Sequence, residues 1–141
     1  MQVFIIGSVI ETAKCLDKRR LNKQIVECHQ ILDAIRGKKD GWKNHPCVLQ
    51  YKNDISWLEE YTRCLEYYKA GELMYANDCD FEAWVLTPTW HTKEYYNNMK
   101  MRLYTKDNDH YSSFKDLGES YTNMYWDIKN KKWKYYDVTQ K

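Results

Sequence analysis

The sequence predicts a mainly α fold: a compact, single-domain helical bundle over residues 1–141, finished by a small C-terminal β-hairpin. Three observations carry this. Leu21, Ile25, Cys28, Leu32 and Ile35 recur at steps of four and three, the seam a helix turns toward a hydrophobic interior. A second run, Ile55, Leu58, Tyr61, Leu65 and Tyr68, repeats that helical spacing. Residues 121–138 then alternate aromatic and polar residues around Lys129-Asn130-Lys131, the period of a hairpin.

In order along the chain, Gln2 to Ile6 reads as extended and Gly7 ends it. Ser8-Val9-Ile10-Glu11 has the spacing of a capping box and predicts a short helix over 9–16. Asp17 is a suitable N-cap for a long helix to Arg36, with Gly37 at the C′ position. Residues 38–46 form a loop carrying Gly41-Trp42-Lys43-Asn44-His45-Pro46, and Pro46 suits the first position of another helix. Asp54 caps the helix through Ala70, which Gly71 closes. After an acidic connector, Phe81 to Leu86 reads as one or two helical turns. Pro88-Thr89-Trp90 is a break, and Thr92 to Tyr104 is the last helix.

No Pro/Gly/Ser-rich linker or repeat divides the chain, and no stretch approaches the roughly 20 apolar residues of a membrane span. A cytoplasmic, intracellular protein is expected. Cys15, Cys28, Cys47, Cys64 and Cys79 are widely spaced with no Cys-x-x-Cys pair, so they read as reduced thiols. His29, His91 and His110 share no metal-ligand spacing with them, and no zinc is expected. The net charge of +2 conceals a strong division: residues 14–52 carry +6, residues 54–94 carry −6 and residues 100–141 carry +3. Such polarity suits a protein that lays one face on a polyanion. Aromatic residues reach 16%, which suits base stacking as well as a tyrosine-rich core.

Chemistry concentrates on the long helix. At 100° per residue, Arg20, Lys23, Gln24, Glu27 and Gln30 fall on a strip about a third of a turn from the apolar seam. One carboxylate thus sits among cations and amides at the edge of a groove. Periodicity alone also fits an ordinary solvated face with a Lys23–Glu27 pair at (i, i+4).

Four segments decide between these readings: Met1-Gln2-x-Phe4; Leu16-Asp17-x-x-Arg20-Leu21-x-Lys23-Gln24-x-x-Glu27-x-x-Gln30-Ile31-Leu32; Gly41-Trp42-x-Asn44-His45-Pro46; and Lys106-Asp107-x-x-His110-Tyr111. In order and spacing the chain resembles the pyrimidine dimer DNA glycosylase family, and its broader bacterial and phage branch more than the phage excision enzyme. The resemblance implies a compact helical single domain that binds duplex DNA, cleaves the N-glycosidic bond at a damaged base and nicks the abasic backbone without metal or cofactor; a monomer is expected, since small base-excision domains can work alone. It implies that a free N-terminal amine attacks C1′ of the sugar and that a helix-borne glutamate assists, and it places Glu27 on that glutamate. An α-amine, with a pKa of about 7.7–8.0, is partly unprotonated near neutrality.

Two positions depart from the family pattern. The phage enzyme exposes a threonine amine after losing its methionine, whereas the bulky Gln2 disfavours that removal, so the nucleophile expected here is the amine of Met1, with Lys23 as the alternative. At Asn98-Met99-Lys100-Met101-Arg102 the branch tends to carry Ser-His-basic-x-Asn; this chain keeps only the basic residue. The expected DNA contacts are Arg19, Arg20, Lys23, Gln24, Gln30, Asn44, His45, Lys100, Lys106, Lys132 and Lys134, with Trp42, Trp90 and Trp133 as base-stacking candidates. Two alternatives stay open: a glycosylase for a modified base in phage–host conflict, and a non-catalytic nucleic-acid-binding protein of the same fold.

Overall fold

The computed structural model describes residues 2–38, 41–71, 87–115, 124–127, 129–130 and 132–135. Met1, the acidic connector and the turns expected at 81–86 lie outside these residues. The chain divides into two compact units, residues 1–88 and 89–141.

In the first unit, the N-terminal segment leads into α1 (Val9–Cys15), where Ser8 accepts from the Glu11 backbone N–H as the capping box requires. α2 (Lys18–Ile35) starts at Asp17, whose carboxylate accepts from Arg20 N. It ends in a Schellman motif: Gly37 N–H bonds Ala34 O at 3.2 Å, Lys38 N–H bonds Asp33 O at 2.9 Å, and Gly37 takes the left-handed φ of 77° that a side chain resists. α3 (Pro46–Tyr51) begins on Pro46 as expected. α4 (Ile55–Lys69) follows, but the Asp54 carboxylate does not take the N-cap bond. α2 packs against α4 and α3, and α4 against α1. Arg36–Glu59 at 3.4 Å and a His29–Glu66 contact tie α2 to α4 at their exposed edge.

The buried face of α2 is rotated from the apolar seam: Leu21, Gln24, Cys28, Ile31, Leu32 and Ala34 are buried, while Ile25 and Ile35 are only half so. The reason is the polar residue in the set. Gln24 faces the N-terminal segment, so an amide occupies a core position that hydrophobic periodicity assigns elsewhere. Tyr51, Trp57 and Tyr61 form a stacked column, with centroids 5.6 and 5.0 Å apart and ring planes within 17°.

In the second unit, Thr92 caps α5 (Lys93–Lys106) by accepting from Tyr95 N. Asp107 ends the helix, and its carboxylate accepts from His110 N at 3.1 Å, turning the chain toward the buried Tyr111. The Lys106-Asp107-x-x-His110-Tyr111 motif is therefore in part a helix stop. The hairpin is present as β1 (Met124–Asp127) and β2 (Lys132–Tyr135), paired antiparallel with Asp127 opposite Lys132. Asp127 organises its turn, accepting from Lys129 N, Asn130 N and Asn130 Nδ2.

Among the described residues no helix is long and apolar enough to cross a membrane, no group of three or more His, Cys, Asp or Glu could hold a metal, and Cys15, Cys28, Cys47 and Cys64 are not in disulfides. Burial pushes the Cys28 thiol up to about 12, which keeps it protonated and inert.

Candidate active site

The segment preceding α1 has neither helix nor sheet ladder of its own, yet Val3, Phe4 and Ile5 are buried. Buried backbone groups need partners, and side chains supply them here. Gln2 N–H donates to Glu27 Oε2 at 3.2 Å. Gln24 then acts as a substitute strand: its Oε1 accepts from Phe4 N–H at 2.6 Å and its Nε2 donates to Gln2 O at 2.8 Å. Tyr61 Oη donates to Phe4 O, and Ile6 N–H donates to Thr12 Oγ1 at 3.0 Å. Gln2, Phe4 and Ile6, which take these bonds, lie two residues apart, the period of an extended chain. The start of the chain is thereby fixed against Glu27, one helical turn from Gln24.

This arrangement corrects one expectation. Gln24 is only 1% exposed and its amide is used at both ends by the N-terminal segment, so it does not face DNA; it positions the chain start. Glu27 is half-buried at the border between that segment and the outer strip of α2, where Arg19, Lys23 and Val26 are exposed and Gln30 is half-buried. Arg20 is turned back on its own helix, with Nη1 3.3 Å from Asp17 Oδ2. Tyr61 and Thr12 were not singled out by sequence reasoning. Tyr61 had a legible signal, since a tyrosine on a buried seam needs a hydroxyl partner.

α3 brings the loop motif against α2. His45 is its N-cap: Nδ1 accepts from Cys47 N–H at 3.1 Å, which leaves the proton of the neutral ring on Nε2. Burial holds the His45 pKa below its ordinary value, and the positive chain N-terminus adds to this. Trp42 packs edge-on to the His45 ring, with centroids 5.6 Å apart, and Asn44 is exposed.

The second unit treats its candidates differently. Trp90 is 4% exposed and packs edge-on to His91 and Tyr95, so its indole is enclosed and cannot stack on a base as expected. Asn98, Met99 and Arg102, on α5, are buried. Lys100 lies over the Phe114 ring at 5.7 Å and Lys106 is exposed in the last turn of α5. Lys132, Trp133 and Lys134 are on β2, and their side chains lie outside the described residues.

A family model described as pyrimidine dimer DNA glycosylase matches residues 1–82, the stretch holding the N-terminal segment, Glu27 and the Trp42–His45 loop. No curated protein and no solved structure matches.

Proposed function

The chain belongs to the pyrimidine dimer DNA glycosylase family, and from that premise we propose that it excises a damaged or modified base from duplex DNA through an imine formed by the Met1 α-amine, and then nicks the abasic strand as an AP lyase. One observation carries the reading: Glu27 Oε2 accepts the Gln2 backbone N–H. Three covalent bonds separate that nitrogen from the Met1 amine, a span of at most about 4 Å by standard bond lengths. That reach supports a carboxylate serving the amine at the chain start.

The chemistry follows. The amine nitrogen forms a bond to C1′ as the C1′–base bond breaks, and the base leaves with the glycosidic electron pair. Glu27, once protonated by the ammonium that this attack forms, returns that proton to O4′ as the sugar ring opens to the imine. The imine acidifies C2′–H; Glu27 takes this proton, and the 3′ phosphate departs with its C–O bonding pair. Water then releases the enzyme. Arg19, Lys23 and Gln30 on the outer strip of α2, with Asn44, supply backbone contacts. The protein acts as a monomer without metal or cofactor.

Borohydride trapping tests this on duplexes carrying an abasic site, a cyclobutane dimer or a modified cytosine. Wild type should give a covalent adduct that chemical blocking of the N-terminus abolishes and Glu27→Gln reduces by at least tenfold, and the duplex that traps best names the base. An adduct that survives blocking but is lost in Lys23→Ala would move the nucleophile to Lys23. Binding without any adduct would make this a non-catalytic member of the fold.

A further inference from the structure

Trp42 is 45% exposed, and the other two tryptophans whose side chains are described, Trp57 and Trp90, are buried. Its setting is built. The Trp42 carbonyl accepts from His45 N–H at 2.9 Å, the indole meets the imidazole edge-on, and the imidazole is itself fixed by Cys47 N–H. One turn along α3, Leu49 N–H bonds His45 O, and the Leu49 side chain is 51% exposed. Single exposed apolar residues are ordinary on protein surfaces. Here two large ones flank one helix cap, with exposed Lys43 and Lys52 beside them and no carboxylate anywhere in residues 41–53. α3 packs on α2, the helix that carries Glu27.

We propose that Trp42 is the residue on which the DNA opened at the damaged site stacks an unpaired base, with the His45 cap holding the indole rigid and Lys43 and Lys52 meeting the flanking phosphates. The assignment rests on the glycosylase reading above and selects one of its three stacking candidates. A fixed, half-exposed indole presents a π-face that any base can occupy, so it favours unstacked DNA without reading sequence. Intact duplex keeps its bases stacked and gains nothing from it. The residue therefore discriminates damaged from intact DNA and leaves the covalent step to the N-terminus.

The test uses the full chain and two measurements. Affinity is measured for an abasic duplex and for the matching intact duplex with wild type, Trp42→Phe and Trp42→Ala. Trp42→Ala should weaken abasic binding by roughly 5- to 150-fold, the range for loss of one base–aromatic stack, and leave intact-duplex binding within about twofold; Trp42→Phe should recover most of the difference. Independently of any variant, 5-iodouracil placed opposite the abasic site should photo-crosslink wild type in the peptide containing Trp42. Wild type that binds and traps DNA but crosslinks through another aromatic residue, or a folded Trp42→Ala protein with undiminished discrimination, overturns the Trp42 assignment alone. Wild type that binds neither duplex overturns the glycosylase reading with it. Self-association that depends on Trp42, with DNA binding unchanged, would make this surface an interface between copies of the chain.

Discussion

Replacing Gln24 with alanine should detach the chain start from α2, and the magnitude follows from two hydrogen bonds. Phe4 N–H is buried and loses its acceptor at 2.6 Å, a penalty of about 1–3 kcal/mol. Gln2 O is only partly buried, so solvent compensates in part for the lost 2.8 Å bond, and the net cost is about 0.5–1.5 kcal/mol. Tyr61 continues to hold Phe4 O. A total loss of about 1.5–4.5 kcal/mol is smaller than the roughly 5–15 kcal/mol that keeps a domain folded. The helices should therefore persist while the segment loosens. Urea unfolding without DNA should show the loss, hydrogen exchange should show the Phe4 amide unprotected, and borohydride trapping should fall because the amine is no longer held beside Glu27. Unchanged stability with weaker duplex affinity and a shallower salt dependence would refute the reasoning and return Gln24 to the DNA surface.

Burial pulls His91 down to about 3 from an ordinary value near 6.5. Above pH 6.5 the ring is neutral in both folded and unfolded chains and its contribution is fully present; between 6.5 and about 3 only the unfolded chain takes the proton. Stability should thus fall with falling pH by about 1.4 kcal/mol per pH unit from this group, and His91→Phe should flatten that part of the profile in urea titrations at pH 7, 5.5 and 4.5. His45 is lowered in the same direction, so its cap adds a loss of the same sign as pH drops. Gly37→Ala should cost about 1 kcal/mol by thermal melting, because no atom lies within 4 Å of the added Cβ and the whole penalty is the left-handed backbone at φ 77°.

Local signals in the sequence act over a few residues, and they are legible where nothing distant competes. Ser8, Asp17, Gly37, Pro46 and Thr92 mark helix ends that the structure keeps. Asp54 has the right chemistry for a cap, but its φ of −127° and ψ of 34° do not aim the carboxylate at the first turn. Glu27 is legible as a carboxylate among cations. Gln24 is not legible as a core residue, because its burial depends on backbone groups 20 and 22 residues away. Trp42 and Trp90 are alike as letters in aromatic loops, and only tertiary packing leaves one half-exposed and encloses the other.

The grip on the N-terminal segment engages main-chain atoms: Glu27, Gln24, Tyr61 and Thr12 hold N–H and C=O groups of residues 2, 4 and 6. Such a grip is indifferent to which side chains the first two residues carry but intolerant of a change in their number. With Phe4 and Ile6 kept on their partners, an insertion or deletion of one residue ahead of Phe4 changes which residue meets Gln24 and Glu27 and how far the chain start lies from that carboxylate. Sequence change at this end of the chain is therefore restrictive for length: the grip itself tolerates another side chain at position 2, but only one that keeps Met1 in place holds constant the count between the chain start and the residue that meets Gln24.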